Sequence, residues 1–519
     1  MRDLRSYVSG RWQAGDGQDR VLVNPSTEEP LARARSGGVD FQEALHHARE
    51  VGGAALRELS FAERGELLKA MATLIRDNRE ELLELSRLNL GATRSDGAFD
   101  VDGAGGTLAW YARLARELPG TTVLPEEGPA QSLGRSGDFV AHHAYAARRG
   151  VAIQINAFNF PVWGFAEKAA TALLAGMPVV AKPATPTALV AERCVELILE
   201  ARVLPEGALQ LIVGDPGDLL DHVAPQDVVA FTGSAATARV IRSHPGVLAA
   251  NPRVNVEADS LNAAVLAPGA HESPALLERF LDEVVREMTQ KTGQKCTAVR
   301  RILVTPEARK AVLEGLRERL DEVIPGLPGE EGVTMGPLAT ERQLNDCLSG
   351  IAELQSGGEL LYGSERRCSG RGVPMERGYF LAPVLLDAAD AHGESPVHHR
   401  EVFGPVASLI GWNGDPVEAG RLVGLAGGTL VTSVYGDDPA WLRATMDSVA
   451  PHTGRAYVVD PSVEERGPGS GAVFPMSMHG GPGRAGGGAE LGGLSGVHAY
   501  MQPLAVQGPA SLDWARAQG

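Results

Sequence analysis

The sequence predicts an α/β protein built from two doubly wound parallel sheets. Short apolar strands alternate with helices from Gly150 to Phe231, and the same alternation returns after Ala263. The 519 residues are enough for about three structural units. A content of 44% hydrophobic and 22% charged residues is typical of a globular protein and excludes a disordered or fibrous one.

The chain before residue 115 is predicted to be mostly helical, with one short strand at Val21–Val23. Asp40 with Glu43, and Ser60 with Glu63, have the spacing of capping boxes. After Ser60 one helical stripe is apolar and contains Leu67, Leu68, Met71, Leu74 and Ile75.

From Gly150 onwards the alternation defines individual elements. We predict strands at 151–155, 178–181, 208–213, 228–231 and 301–304, and helices at 163–174, 188–201, after Gly217 and at 273–289. Near the C-terminus, the run 479–493 contains eight glycines and is predicted to be a loop.

Charge and cysteine usage exclude several kinds of partner. The net charge of −17 argues against nucleic acid and anionic membranes. The N-terminal segment has no apolar core of the secretory type. The four cysteines have no metal-type spacing, so we expect no metal site and reduced thiols in a cytoplasmic protein.

Cys296 is the first candidate for chemistry. A lone cysteine is most often a small buried hydrophobic residue. Here Gly293 permits close approach of the backbone to a ligand, and Lys291 and Lys295 add positive charge that is expected to favour a thiolate.

Three further segments lie where strands and helices meet. Residues 156–161 follow a strand, where ligands bind in open α/β sheets, although an isolated Asn there also suits a plain turn. Residues 231–234 lead from a strand into a helix and offer N–H groups to phosphate, a weak signal alone. Residues 401–405 are the last candidate segment, although their pattern is also typical of an ordinary exposed turn.

Together and in this order, these segments resemble the aldehyde dehydrogenase superfamily from Tyr7 to about Leu494. The matching motifs are FNFP at 158–161, KPA at 182–184, FTGS at 231–234, VEADSLN at 256–262, GQKC at 293–296 and EVFGPV at 401–406. The resemblance implies an aldehyde dehydrogenase-like α/β fold: two doubly wound parallel-sheet domains plus a small β oligomerisation extension.

The resemblance also implies catalytic roles. Cys296 matches the nucleophile that attacks the aldehyde, and the amide of Asn159 matches the donor to the oxyanion. Glu257 matches the base that activates water for thioester hydrolysis, which favours a free acid over transfer to coenzyme A. Lys168 matches a residue of the proton path, or is a helix-surface lysine, and Glu490 influences acyl-enzyme turnover or faces solvent.

For the cofactor, Lys182 matches the lysine that reaches the adenosine ribose. Three residues on, relatives that prefer NAD often carry a glutamate, whereas Thr185 is neutral and leaves room for a 2′-phosphate, so we expect NADP rather than NAD. The cofactor residues implied are Ile155, Asn156, Ala157, Phe158, Lys182, Ala184, Thr185, Phe231, Gly233, Ser234, Glu401 and Phe403.

The resemblance further implies domains, substrate and assembly. We expect a dinucleotide-binding domain at 1–119 and 150–258, a catalytic domain at 259–472, and oligomerisation and tail segments at 120–149 and 473–519 that build a homodimer. The segments 257–262 and 475–488 resemble the branch that oxidises coenzyme A-linked semialdehydes in aerobic aromatic degradation. The phenylacetate ring-opening pathway, a general NAD(P) aldehyde dehydrogenase and a catalytically silent homologue are the alternatives.

Overall fold

A computed structural model describes residues 1–120, 122–126, 128–388, 393–463 and 467–511. Its helices, α1 to α15, are Phe41–His47, Gly53–Glu58, Phe61–Asp77, Arg79–Asn89, Arg94–Leu114, Trp163–Leu174, Ala188–Glu200, Ala235–Arg242, Pro245–Ala250, Pro274–Thr289, Pro306–Asp321, Glu341–Gln355, Pro416–Gly424, Pro439–Val449 and Leu494–His498. Its strands, β1 to β23, are Arg2–Asp3, Arg5–Val8, Arg11–Ala14, Arg20–Val23, Pro30–Ala34, Val123–Pro125, Gln131–Ser132, Phe139–Ala147, Ala152–Ile155, Val179–Lys182, Leu209–Leu211, Val228–Thr232, Arg253–Glu257, Asn262–Leu266, Val299–Val304, Leu360–Tyr362, Val384–Asp387, Val406–Gly411, Thr429–Tyr435, Thr453–Val459, Met478–Gly480, Ala489–Leu491 and Met501–Pro509.

The first sheet has the strand order β13-β12-β9-β10-β11-β2-β3. Strands β9 to β13 run parallel, and β2 joins the edge antiparallel to β11. The reversal of order beside β9 places the ends of β9 and β12 side by side, which is where open α/β sheets bind ligands. Helices α5, α6 and α7 cover the sheet through a single apolar core.

The second sheet has the order β16-β17-β18-β15-β14-β19-β20, and only β16 is antiparallel to its neighbour. Both of its faces pack against separate apolar clusters, because fully buried parallel strands need cover on each side. The prediction of two parallel-sheet units is confirmed. Apart from the helix expected after Gly217, the predicted strands and helices from residue 151 onwards lie within a few residues of their expected bounds.

A third, antiparallel sheet joins two distant segments. Strand β23 pairs with β8 along nine residues, from Met501 opposite Ala147 to Pro509 opposite Phe139. Strands β6 and β7 complete it. Its strands lie in the two segments, 120–149 and 473–519, that were expected to form the small β extension, and a role of this sheet in assembly stays a prediction. Residues 121, 127 and 512–519 of these segments lie outside the described residues.

Three local predictions are wrong. The chain before Phe41 forms five strands and is not helical, because strands of two to five residues are too short to show a period, whereas the predicted strand at Val21–Val23 is confirmed as part of β4. The helix expected after Gly217 is a single 3-10 turn at Leu219–His222. The glycine-rich run contains a strand pair, β21 with β22, rather than loop alone.

Candidate active site

A cleft of 930 Å³ lies between the two sheets. The carboxyl ends of β9, β10, β12 and β13 supply one wall, and the segments leading into β15 and β18 supply the other. Of the predicted site residues, it is lined by Asn156, Ala157, Phe158, Asn159, Lys168, Lys182, Ala184, Phe231, Gly233, Ser234, Glu257, Cys296, Glu401 and Phe403. Ile155, Thr185 and Glu490 are not part of this lining: Ile155 packs against an apolar cluster of the first sheet, and the contacts of Thr185 and Glu490 are given below.

Cys296 follows a tight turn in which Lys291, Thr292 and Gly293 are all left-handed, with φ of 54°, 58° and 67°. A Cβ at Gly293 would overlap the carbonyl oxygen of Gly404, so glycine is required there. The Asn262 amide donates to the carbonyl oxygen of Cys296 at 2.8 Å. The thiol is therefore held on a strained but firmly anchored turn at the amino end of β15.

The two lysines beside the cysteine do not face it. Lys295 Nζ donates to Glu287 at 2.6 Å and to Gln290 at 2.7 Å. Lys291 Nζ lies 4.2 Å from the centre of the Phe160 ring. The expectation that these lysines favour the thiolate is therefore wrong, because buried acceptors and an aromatic face already engage both ammonium groups.

Asn159 is placed beside the nucleophile. Its Nδ2 donates to the Gln294 carbonyl oxygen at 2.9 Å, which fixes the amide against the turn that carries Cys296. An amide nitrogen has two hydrogens, so one remains for a developing oxyanion. The geometry is compatible with the role that the sequence assigned to this residue.

Glu257 ends β13 and is buried next to Cys296. Burial alone would raise the pKa of this carboxyl, but the positive charges of His479 and Lys168 lower it below its usual range. Burial and the negative charges of Glu257, Glu167 and Glu401 raise the pKa of the Cys296 thiol well above its usual value. The site thus holds an ionised carboxylate against a cysteine that resists ionisation.

Lys168 is fully buried, so it is not a helix-surface lysine. Its Nζ donates to Glu167 at 2.9 Å and lies 3.0 Å from Glu490 Oε2. Burial raises the pKa of Glu490, while the ammonium group of Lys168 opposes that rise. Glu490 therefore does not face solvent, and the three side chains form a buried chain of ionisable groups leading away from Glu257.

The other half of the cleft suits a dinucleotide. Burial raises the pKa of Glu401 to about 7, and its carboxylate accepts from the Ser260 N–H at 3.2 Å. Phe403 packs edge-on against Phe158 with ring centres 5.8 Å apart. A Cβ at Gly233 would come within 2.5 Å of the Phe231 ring, so this glycine keeps the start of α8 open to a ligand.

At the far end of the cleft, Lys182 Nζ donates to the Pro183 carbonyl oxygen at 3.2 Å, and burial lowers its pKa to about 8. Thr185 Oγ1 donates to the carbonyl oxygen of Gly214 at 3.3 Å. Lys182 thus places a buried ammonium group at this end of the cleft, and position 185 adds no carboxylate, an arrangement that suits an adenosine ribose.

Two buried residues of the site escaped the sequence analysis. His479 lies beside Cys296 and Glu257, and Glu167 lies beside Lys168. His479 is embedded in the glycine-rich run, whose composition predicts only a loop, so no pattern in the sequence singles it out. The pairing of β21 with β22 brings it into the site.

A cleft at the ends of parallel strands that suits a dinucleotide, joined to a cysteine, an amide and a buried carboxylate, is the arrangement of an NAD(P)-dependent oxidoreductase. The chain belongs to the aldehyde dehydrogenase family, whose model matches residues 12–506. The expectation of an aldehyde dehydrogenase is confirmed.

Among its relatives is 3,4-dehydroadipyl-CoA semialdehyde dehydrogenase from Aromatoleum evansii, 42% identical over 479 residues, which cover 92% of this chain and 93% of the relative. Alpha-ketoglutaric semialdehyde dehydrogenase from Bacillus subtilis is 29% identical and covers 78% and 80% of the two chains.

The fold is shared with solved structures. A point mutant of betaine aldehyde dehydrogenase from Staphylococcus aureus in complex with NAD+ superposes with a TM-score of 0.81 at 22% identity, covering 99% of this chain and 98% of that one. Across the described residues, every helix is too short or too polar to cross a bilayer.

Proposed function

We propose that this enzyme oxidises 3,4-dehydroadipyl-CoA semialdehyde to the corresponding carboxylic acid with NADP, in the aerobic degradation of an aromatic compound. The observation that carries the proposal is the buried placement of Glu257 beside Cys296 and Asn159, together with 42% identity to the relative of that name. The carboxylate provides a base for water, which is what hydrolysis to a free acid requires.

The reaction follows from the positions of the side chains. Cys296 loses its thiol proton to water, its Sγ bonds to the aldehyde carbon, and the carbonyl electron pair moves onto oxygen, where the Asn159 amide and the Cys296 N–H stabilise it. The dinucleotide that this cleft would hold would supply the hydride acceptor, and loss of the hydride leaves a thioester on Cys296. Glu257 then takes a proton from water as the water attacks the thioester carbon, the C–S bond breaks, and the acid is released.

Lys168, Glu167 and Glu490 move the proton that Glu257 collects. Their charged atoms lie within 3.0 Å of one another along the chain from Glu167 through Lys168 to Glu490. A group with a raised pKa, such as Glu490, exchanges protons readily near neutral pH. We assign these three residues to proton release rather than to substrate contact.

NADP is favoured by the chemistry of the adenosine end. The ammonium group of Lys182 attracts a 2′-phosphate, and Thr185 is neutral, so position 185 places no carboxylate that would repel the phosphate. Asp215 also lines this end of the cleft, but its carboxylate is paired with Arg20 at 2.9 Å.

The variant Thr185→Glu tests this assignment. We expect kcat/KM with NADP to fall at least about 10-fold, since a carboxylate facing a phosphate costs more than about 1.4 kcal/mol, while kcat/KM with NAD is kept or rises. Thr185→Gln, which has the same size without the charge, is the control and is expected to change the NADP-to-NAD ratio little. An equal loss with both nucleotides would contradict the charge argument.

We also propose a homodimer in the cytoplasm, assembled through the third sheet. Phe139, Leu133 and Leu504 of this sheet are exposed by 47%, 49% and 41%, an apolar surface that favours cover by a second copy. The four cysteines are free thiols, as a reducing compartment maintains them. Sedimentation equilibrium measures the mass of the assembly, and a mass other than that of two chains would contradict the dimer.

The decisive experiment compares the CoA-linked semialdehyde with the same aldehyde lacking the CoA moiety, using NADP, NAD and no nucleotide. We expect absorbance of reduced NADP at 340 nm and, by mass spectrometry, a CoA thioester with a new free carboxylate. Equal kcat/KM for the two aldehydes would favour a general aldehyde dehydrogenase. Turnover of the phenylacetate-derived semialdehyde alone would favour that pathway, and turnover without nucleotide would favour an esterase.

A further inference from the structure

The side chain of His479 reaches both reacting groups of the site with one atom. Its Nε2 lies 3.8 Å from Cys296 Sγ and 3.2 Å from Glu257 Oε1. Only 4% of the His479 side chain is exposed, and the same is true of Glu257. The imidazole is therefore wedged between the nucleophile and the base, away from bulk water.

The backbone holds the ring in that place. His479 is the middle residue of β21 and lies opposite Glu490 of β22. A Cβ at Gly454 would overlap the carbonyl oxygen of Gly480, and one at Gly480 would overlap that of Gly488. The strand pair can approach β20 and the site this closely because these positions have no side chain.

The imidazole of His479 can supply the positive charge near Cys296 that Lys291 and Lys295 do not supply. Ionising Cys296 next to Glu257 places two negative charges in one buried pocket, and Glu167 of α6 adds a third nearby. Lys291 and Lys295 are engaged elsewhere. An imidazolium at position 479 has one N–H directed at the space between the sulfur and the carboxylate.

The charges around the ring come from four elements. Glu257 of β13 and Glu167 of α6 favour a protonated imidazole, Arg455 of β20 opposes it, and Cys296 lies on the turn before β15. Burial lowers the pKa of His479, but the negative charge of Glu257 more than offsets it, so the pKa lies above its usual value. The surroundings of the ring therefore favour its protonated form.

We propose that His479 is a further catalytic residue, whose imidazolium lowers the cost of forming the Cys296 thiolate beside Glu257. The Sγ–H bond breaks and its proton passes to water in the open cleft, while Glu257 stays a carboxylate and His479 keeps its own proton at Nε2. The sulfur lone pair then forms the C–S bond, and the carbonyl electron pair moves to oxygen. When the thioester is hydrolysed, the returning thiolate faces the same imidazolium. The reaction served is that of the proposed function, but the thiol chemistry is independent of it.

The test is the pH dependence of Cys296 alkylation by iodoacetamide in the full chain without substrate or nucleotide. In His479→Gln we expect the apparent pKa of the thiol to rise by at least about one unit, so that alkylation at pH 7 slows about 10-fold while the rate at high pH is unchanged. His222→Gln, a histidine outside the cleft, is the matched control and is expected to follow the wild-type curve.

His479→Asn provides a second variant with a smaller amide, should the glutamine disturb the strand pair. Melting temperature identifies which variants are folded. A folded variant whose alkylation curve superimposes on that of the wild type overturns the proposal. The alkylation assay contains no aldehyde. Its result therefore does not depend on whether the CoA-linked semialdehyde is a substrate, and failure of that substrate would contradict the proposed function alone. In assays with a working substrate, kcat/KM of the variants is expected to recover toward the wild-type value as pH rises.

Discussion

Cys296→Ala is expected to lose at least about 10⁴-fold in kcat/KM, equivalent to about 5.5 kcal/mol of transition-state stabilisation. Without the thiol no covalent hemiacetal forms, and hydride would have to leave an aldehyde directly. The side chain is half-exposed at the cleft and ends a turn that backbone contacts hold, so its removal leaves the fold intact. The measurement is the rate of NADP reduction, with nucleotide affinity from fluorescence titration.

Cys368→Ala is the matched control, since Cys368 is also a free, partly exposed thiol but is not part of the cleft lining. It is expected to keep wild-type activity. Nucleotide affinity of Cys296→Ala is expected to match the wild type, because the dinucleotide half of the cleft is unchanged. Reduction of NADP at a wild-type rate by Cys296→Ala would exclude the covalent route.

Glu257→Gln is expected to separate the two halves of the reaction. Acylation still reduces about one nucleotide per site, but steady-state turnover falls about 10²–10⁴-fold, since an amide cannot take a proton from water. Rapid mixing is expected to show a burst of absorbance at 340 nm followed by a very slow phase. The trapped thioester is detectable as added mass on Cys296.

The control for this variant is Glu206→Gln, which removes a carboxylate whose side chain is 70% exposed. It is expected to turn over at the wild-type rate without a burst. If Glu257→Gln showed no burst and no acyl adduct, Glu257 would act before hydride transfer and not in hydrolysis. If it kept full turnover, another group would activate the water.

The sequence predicts an element or a site residue when the pattern that specifies it lies in the same segment of the chain. The core strands and helices after Gly150 are visible because each buries its own apolar pattern locally. The site motifs are visible because glycine, asparagine and cysteine recur in fixed segments. Before Phe41 only the strand at Val21–Val23 is visible, since the other strands have two to five residues and one of them, β2, also pairs with the distant β11.

The sequence also does not predict the direction in which a side chain points. Lys295 is adjacent to Cys296 in sequence, yet it extends toward Glu287. His479 is 183 positions away, yet its ring lies against the sulfur. Adjacency in the chain therefore gave the wrong source of positive charge, and only the pairing of β21 with β22 identifies a better one.

The late position of β21 and β22 in the chain also has a consequence for biosynthesis. Both large sheets are complete by Val459, whereas His479 and Glu490 are added to the chain only after both sheets. Domains fold as units while translation proceeds from the N-terminus. A nascent chain thus acquires its nucleotide cleft and its cysteine before the residues that complete the charge balance around them, and full reactivity appears only once those residues have been added.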